Sequence, residues 1–243
     1  MTNSEFSNQF DTLLNSFSSQ ASFGEEASKQ TITLDEYEKS VFLTQAQEEI
    51  VISLYNGKNS YGESFESTEE IRRYLANLIG VKTISLSPIT NTNGIPLGAT
   101  TKSRFFTLPK DLWFITYESV SIDNGKCSNK NMKVYPVKQD EYQNIKDNPF
   151  RGANSRRALR LDLSEGNVEI ICRYTINSYY IRYIKKVPPI ILITLPDNLT
   201  INDREEASEC VLHEALHQRI LSRAVTLALQ SRGYNVSKET RDN

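Results

Sequence analysis

Residues 112–122 read LWFITYESVSI, and the reading of this run decides the fold. It is dense in β-branched and aromatic residues, and its aromatics alternate at strand spacing. That pattern predicts a strand whose rings pack in a core or on a sheet face. The same character extends outward from Val81 to Thr200, broken by Gly, Pro and Asn. SRFFTLP (103–109), MKVYPV (132–137), LRLDL (159–163), NVEIICRY (167–174), YYIRYI (179–184) and IILIT (190–194) all read as further strands. One helix is expected among them, at QDEYQNIKDN (139–148), ended by Pro149. The spacing suggests a meander or sandwich-like sheet and not alternating βαβ units.

Helices flank this region. Residues 4–17 space Phe6, Phe10, Leu13, Leu14 and Phe17 helically, with Ser4 as a cap. The polar run SSQASFGEEASKQT (18–31) reads as a linker, so the first helix is expected to be detachable and to dock elsewhere. In TLDEYEKSVFLTQAQEEIVISLYNG (33–57), Thr33 with Glu36 and Thr44 with Gln47 fit capping boxes, and Gly57 fits a helix stop. Ser67 with Glu70 opens a further helix expected to end at Gly80. A last helix is expected from Asp203, with Glu206 completing its capping box, to Gly233, burying Leu216, Ile220, Ala224 and Leu227. The expected class is α+β: N-terminal helices, a central antiparallel β-rich region and a long C-terminal helix. The expected divisions are an arm at 1–31, a helical region at 32–80, a β-rich core at 81–200, the C-terminal helix at 201–233 and a polar tail at 234–243.

Composition narrows the function. Among 243 residues, 38 % are hydrophobic and 24 % charged, enough apolar material for a real core. The formal net charge of −2 gives no general case for nucleic-acid or membrane-surface binding. Cys127, Cys172 and Cys210 are scattered and form no C-x-x-C, which excludes a full disulfide framework and favours a reducing cytosol. MTNSEFSNQFDTLL at the start has an early acid and no basic region, so no secretory signal is expected. No apolar run is long enough to span a bilayer.

One stretch suggests chemistry. HEALH (213–217) holds both histidines of the chain and spells the zinc-peptidase signature, with His213 and His217 as ligands and Glu214 as general base. Read as helical, the histidines share a face one turn apart. The third ligand is missing, however. The extended motif would need Gly at Ile220 and His at Arg223, and the only later Glu is Glu239 in the polar tail. Both histidines also lie in an apolar stripe, so packing residues are the simpler reading. Cys210 lies close by without an orienting third group. No catalytic residue, cofactor or metal is therefore expected, and a zinc-dependent metallopeptidase using HEALH is the alternative.

Charge is segregated. Arg151, Arg156, Arg157, Arg160, Arg173, Arg182, Lys185 and Lys186 cluster at 151–186, while Glu25, Glu26, Asp35, Glu36, Glu38, Glu48 and Glu49 lie in the N-terminal part. These regions are expected to pair with one another within or between subunits, with nucleic-acid binding by the basic region as a weaker reading.

Several stretches in this order carry a resemblance: TLDEYEKSVFLTQAQEEIVISLYNG, STEEIRRYLANLIG (67–80), RFFTLPKDLWFITYE (104–118), DEYQNIKDNPFRG (140–152), RRALRLDL (156–163), IRYIKKVPPIIL (181–192) and LHEALHQRILSRAVTLAL (212–229). Together they resemble a virion structural protein of crAss-like tailed bacteriophages, of the neck-ring or head–tail connector kind, over about residues 33–230. The resemblance implies a non-enzymatic homo-oligomer, a dodecameric ring between portal and tail. Its implied partners are the portal, neighbouring neck or tail proteins and the genomic DNA in the channel, held without sequence-specific binding. It implies a place in the virion after assembly in the host bacterial cytoplasm, and no membrane.

Overall fold

The computed structural model describes residues 1–20, 33–58, 67–85, 103–123, 130–163, 166–196 and 198–233, with 62, 64, 65 and 125. Residues 18–20 of the expected linker are helical, whereas 21–31 and the tail at 234–243 lie outside the described residues. The chain forms two compact units. One joins Met1–Leu78 to Val187–Asn243, and the other is Ile79–Lys186.

Among the described residues the second unit holds seven strands: β1 (Ile79–Ser85), β2 (Arg104–Thr107), β3 (Leu112–Asp123), β4 (Lys130–Pro136), β5 (Arg157–Asp162), β6 (Asn167–Ile171) and β7 (Thr175–Lys185). The run that opened the sequence reading is β3, and it lies third in the sheet order β1-β7-β3-β4-β5-β6-β2. Every neighbouring pair is antiparallel except β4 with β5. That pair is joined by helix α4 (Gln139–Ile145), so one βαβ crossover sits in an otherwise antiparallel sheet. Register shifts along β3 and β7 bend the sheet, and its edge strands β1 and β2 approach one another. Val120, Ile122, Met132, Val134, Ile170, Tyr179 and Ile181 fill the inside of this curl. On the outer face α4 lays Tyr142 over Leu159, Leu161 and Ile171.

β1 is not the end of a helix. Helix α3 is short (Glu69–Tyr74), a 3₁₀ turn follows at Ala76–Leu78, and the strand begins at Ile79. Gly80 is therefore no helix stop. It lies in β1, where a Cβ would come within 2.7 Å of the Tyr183 ring.

The first unit packs α1 (Asn3–Gln20), α2 (Glu36–Asn56) and α5 (His217–Ser231). Asp35, not Thr33, caps α2, in a reciprocal box with Glu38, and Gly57 ends it with a left-handed backbone. Three expectations are corrected here. First, α1 is not a detached arm: Phe6, Phe10 and Leu14 are fully buried within a single chain. Its apolar stripe has partners in α5, and no second molecule is needed to cover it.

Second, IILIT is no strand of the sheet, and the sheet ends at Lys185. The extended run 188–192 gives its backbone groups to a polar stripe on α2 instead. Ser40 accepts from the Leu192 amide (3.0 Å), Thr44 accepts from the Ile190 amide (3.1 Å), and Gln47 donates to the Pro188 carbonyl (2.8 Å). Buried backbone groups must find partners, and here they are helix side chains. Thr44 and Gln47 thus belong to the interior of one continuous helix and cap nothing.

Third, the C-terminal helix does not start at Asp203. Asn202 and Asp203 both have positive φ (50° and 61°) in a two-residue turn closed by reciprocal Ile201–Arg204 hydrogen bonds. Asn-Asp suits that tight turn as well as it suits a helix cap. The helix begins at His217 and buries Ile220 and Ala224 as expected, with Leu216 buried just before it, whereas Leu227 is only half-buried.

Candidate functional site

HEALH is not one helical turn. His213 is the cap of a 3₁₀ turn at Glu214–Leu216, with extended backbone (φ −60°, ψ 141°). Its Nδ1 accepts from the Ala215 amide at 3.2 Å, and its exposed ring packs on Tyr74. His217 opens α5 and is buried against Phe6. Its Nε2 donates to the Leu212 carbonyl at 3.1 Å, and its Nδ1 lies 2.9 Å from the Met1 amino nitrogen. Burial lowers the pKa of His217 and so favours the neutral ring. The two imidazoles are therefore committed to different local tasks, one capping and one packing. A helical i, i+4 pair of ligands is not formed, because the helix starts only at the second of them. Glu214 is exposed. Among the described residues, no group of three His, Cys, Asp or Glu is placed to hold a metal. Cys210 is not on the helix either. Its thiol lies 3.2 Å from Gln47 Oε1, and burial raises its pKa, which disfavours a reactive thiolate.

The basic stretch does not act as one patch. Arg160 is buried inside the sheet, 2.9 Å from Glu118, and its Nε lies 2.9 Å from Asp162. Tyr179 donates to the other Glu118 oxygen at 2.6 Å, and burial raises the tyrosine pKa strongly. This is a desolvated structural cluster, well paired by a cation and a phenol. Arg157 stacks on the Tyr135 ring (4.3 Å), Arg173 donates to the Ala153 carbonyl, and Arg182 donates to Tyr180. Arg151 and Arg156 are exposed.

The acids of α2 are likewise engaged within their own unit. Glu36 bonds Lys39, Glu38 caps and meets Arg232, Glu48 accepts from Asn202, and Glu49 pairs with Arg223 at 2.7 Å. They do not await the basic stretch of another region. Glu25 and Glu26 lie outside the described residues.

Open concavities also occur among the described residues. One, of about 470 Å³, is a polar saddle on the sheet lined by Tyr117, Ser119, Ser121, Asn131, Tyr180 and Arg182, among others. Another, of about 450 Å³, is lined by residues 203–208. Two features escaped the sequence reading. Glu169 is fully buried, and burial raises its pKa against the lowering effect of a hydrogen bond with Ser103. Phe150 is 83 % exposed. The sign of Phe150 in the sequence is an aromatic set between Pro149 and Arg151, with no large apolar residue within four positions on either side. No described helix is long and apolar enough to cross a membrane.

The family described as phage tail ring protein 3/4 matches residues 1–240. The chain is 48 % identical over 236 residues to Ring protein 3 of Bacteroides phage crAss001, covering 96 % of each chain. It is 32 % identical over 237 residues to Ring protein 4/5 of the same phage, covering 94 % of this chain and 92 % of that protein.

Proposed function

The chain belongs to the phage tail ring protein 3/4 family, and we propose on that premise that it is a non-enzymatic virion subunit whose copies close into a ring of the head–tail connector. The ring is dodecameric, lies on the tail side of the portal, and surrounds the channel through which the genome passes. DNA is met there without sequence reading. The observation that carries this is the 48 % identity with Ring protein 3 over 236 residues, 96 % of each chain. The chemistry of HEALH supports it. The helix begins only at His217, so the two imidazoles do not stand as an i, i+4 ligand pair on one helical face.

A symmetric reconstruction of the virion tests the proposal. It should contain a closed ring of this fold threaded by the DNA channel. Isolated single copies, or none, would refute it. Metal measurement on the purified chain tests the peptidase reading separately: stoichiometric zinc lost in His217→Ala, with Glu214-dependent cleavage, would establish that reading instead.

A further inference from the structure

The loop between α4 and β5 is built to hold Phe150 out of the protein. The Asn148 side chain accepts from the Phe150 and Arg151 amides (2.9 and 3.1 Å), and Arg157 donates to the Phe150 carbonyl at 3.1 Å. Gly152 is buried and donates to the Asn148 carbonyl at 2.7 Å. A Cβ there would meet three backbone carbonyls within 2.9 Å, so only glycine lets the turn close. A loop this constrained does not need 83 % of an aromatic side chain in water for its own stability. Pre-ordered, exposed aromatics flanked by arginine are what protein interfaces use as anchors. Residues 146–157 carry Lys146, Arg151, Arg156 and Arg157 against the single acid Asp147.

The other unit carries the mirror composition. Residues 203–209 hold Asp203, Glu205, Glu206 and Glu209 against the single cation Arg204, all exposed. Among the described residues none of these four acids has an ion-pair partner. Residues 203–208 line the cleft of about 450 Å³. Beside them runs 191–195, bonded to this segment at Ile191–Ser208 and Leu195–Glu205. Between those two points Ile193 stands 50 % exposed, an apolar side chain on the run that is bonded to the acidic segment.

We infer that Phe150 of one copy seats against Ile193 and the 203–208 cleft of the next copy, with Arg151 and Arg156 facing the acids around it. The inference rests on the ring reading and names its contact. Knob and seat are unlike patches on different units of one chain, so each copy offers one of each, and repetition of the contact is head-to-tail. Opposite charge at the rim fixes the register, and the aromatic supplies the dry centre.

Cross-linking in particles tests it, using full-length chains supplied in trans and imaging to verify the rings. Phe150→Cys combined with Glu206→Cys should give a ladder of covalent oligomers under a short bifunctional thiol reagent. With Cys127, Cys172 and Cys210 replaced by serine throughout, each single variant alone should give none, and the two single variants mixed should stop at dimers. Rings that are present but show no link, or only a link within one chain, overturn the contact and leave the ring reading intact. Absence of rings overturns both. Independently, Glu205→Lys with Glu206→Lys should lower incorporation about tenfold or more through like-charge repulsion, and Arg151→Glu with Arg156→Glu should restore it. Failure of the reversed pair to rescue counts against the contact even if the single reversals are defective.

Discussion

Phe10→Ala discriminates a packed α1 from a detached arm. Phe10 is fully buried, and with Phe6 and Leu14 it forms the stripe by which α1 packs in its unit. Truncating a buried Phe loses its transfer free energy and leaves a cavity, together about 3–5 kcal/mol. A chain of this kind has a total stability on the order of 5–15 kcal/mol, so the loss is a large fraction of it. With a urea slope of about 2 kcal/mol/M, the midpoint falls by about 1.5–2.5 M. Far-UV circular dichroism of the purified chain reads the helices, most of which lie in the first unit. Trp113, the single tryptophan, lies on β3 and reports on the sheet unit separately. The helical transition should move by that amount in Phe10→Ala. A shift below about 0.5 kcal/mol, the range of ordinary surface substitutions, would mean that α1 is free in the isolated chain and that its burial argument is wrong. By the same reasoning, deleting residues 1–31 should destabilise the first unit and not merely weaken assembly.

Glu169→Gln should raise stability at neutral pH. The folded carboxyl titrates above its ordinary value of 4.5, so its contribution is full below that value and is lost as pH rises through the folded pKa; the substitution should flatten this part of a denaturation-midpoint-against-pH curve. His217 works from the opposite side: its folded pKa is lowered, so stability present above 6.5 should fall as pH drops through the folded value, and thermal melts between pH 7 and 5 check this. Glu118→Gln leaves Arg160 buried with a weakened partner set and should cost roughly 3–5 kcal/mol, read from the Trp113 transition in urea. Gly152→Ala should cost on the order of 1–3 kcal/mol by overpacking three carbonyls; an unchanged melt would show that the loop has slack.

Legibility followed the range of the interaction. Six of the seven strands were visible because each carries its own β-branched and aromatic density, and α4 because Pro149 punctuates it. β1 was missed because Ile79 and Gly80 continue a helical pattern, and the ring that demands the glycine, Tyr183, is a hundred residues away. IILIT has strand composition and extended backbone, but its hydrogen-bond partners are Ser40, Thr44 and Gln47 on a helix, a pairing no local pattern announces. Asp203 illustrates a true degeneracy: short polar side chains serve caps and left-handed turns alike, and the context beyond the turn decides. For the candidate site, HEALH was read as one helical turn, whereas the helix begins only at His217, a boundary that the H-E-x-x-H spacing does not reveal. Phe150 could be seen as odd in sequence, whereas its exposure depends on how the whole loop folds back through Asn148 and Gly152.

The chain leaves the first unit after Leu78 and re-enters it at Val187, and Ile79 and Ile184 are directly paired across β1 and β7. Partners in an antiparallel ladder have Cα atoms about 4.5–5.5 Å apart. The sheet unit is thus spliced into its host like a cassette whose two cut ends almost touch. Excising 79–186 and closing the gap with a few glycines asks little of the host backbone, and a foreign insert with similarly adjacent ends could replace it. Such a layout lets one half of a subunit diversify by exchange while the other keeps its own core intact.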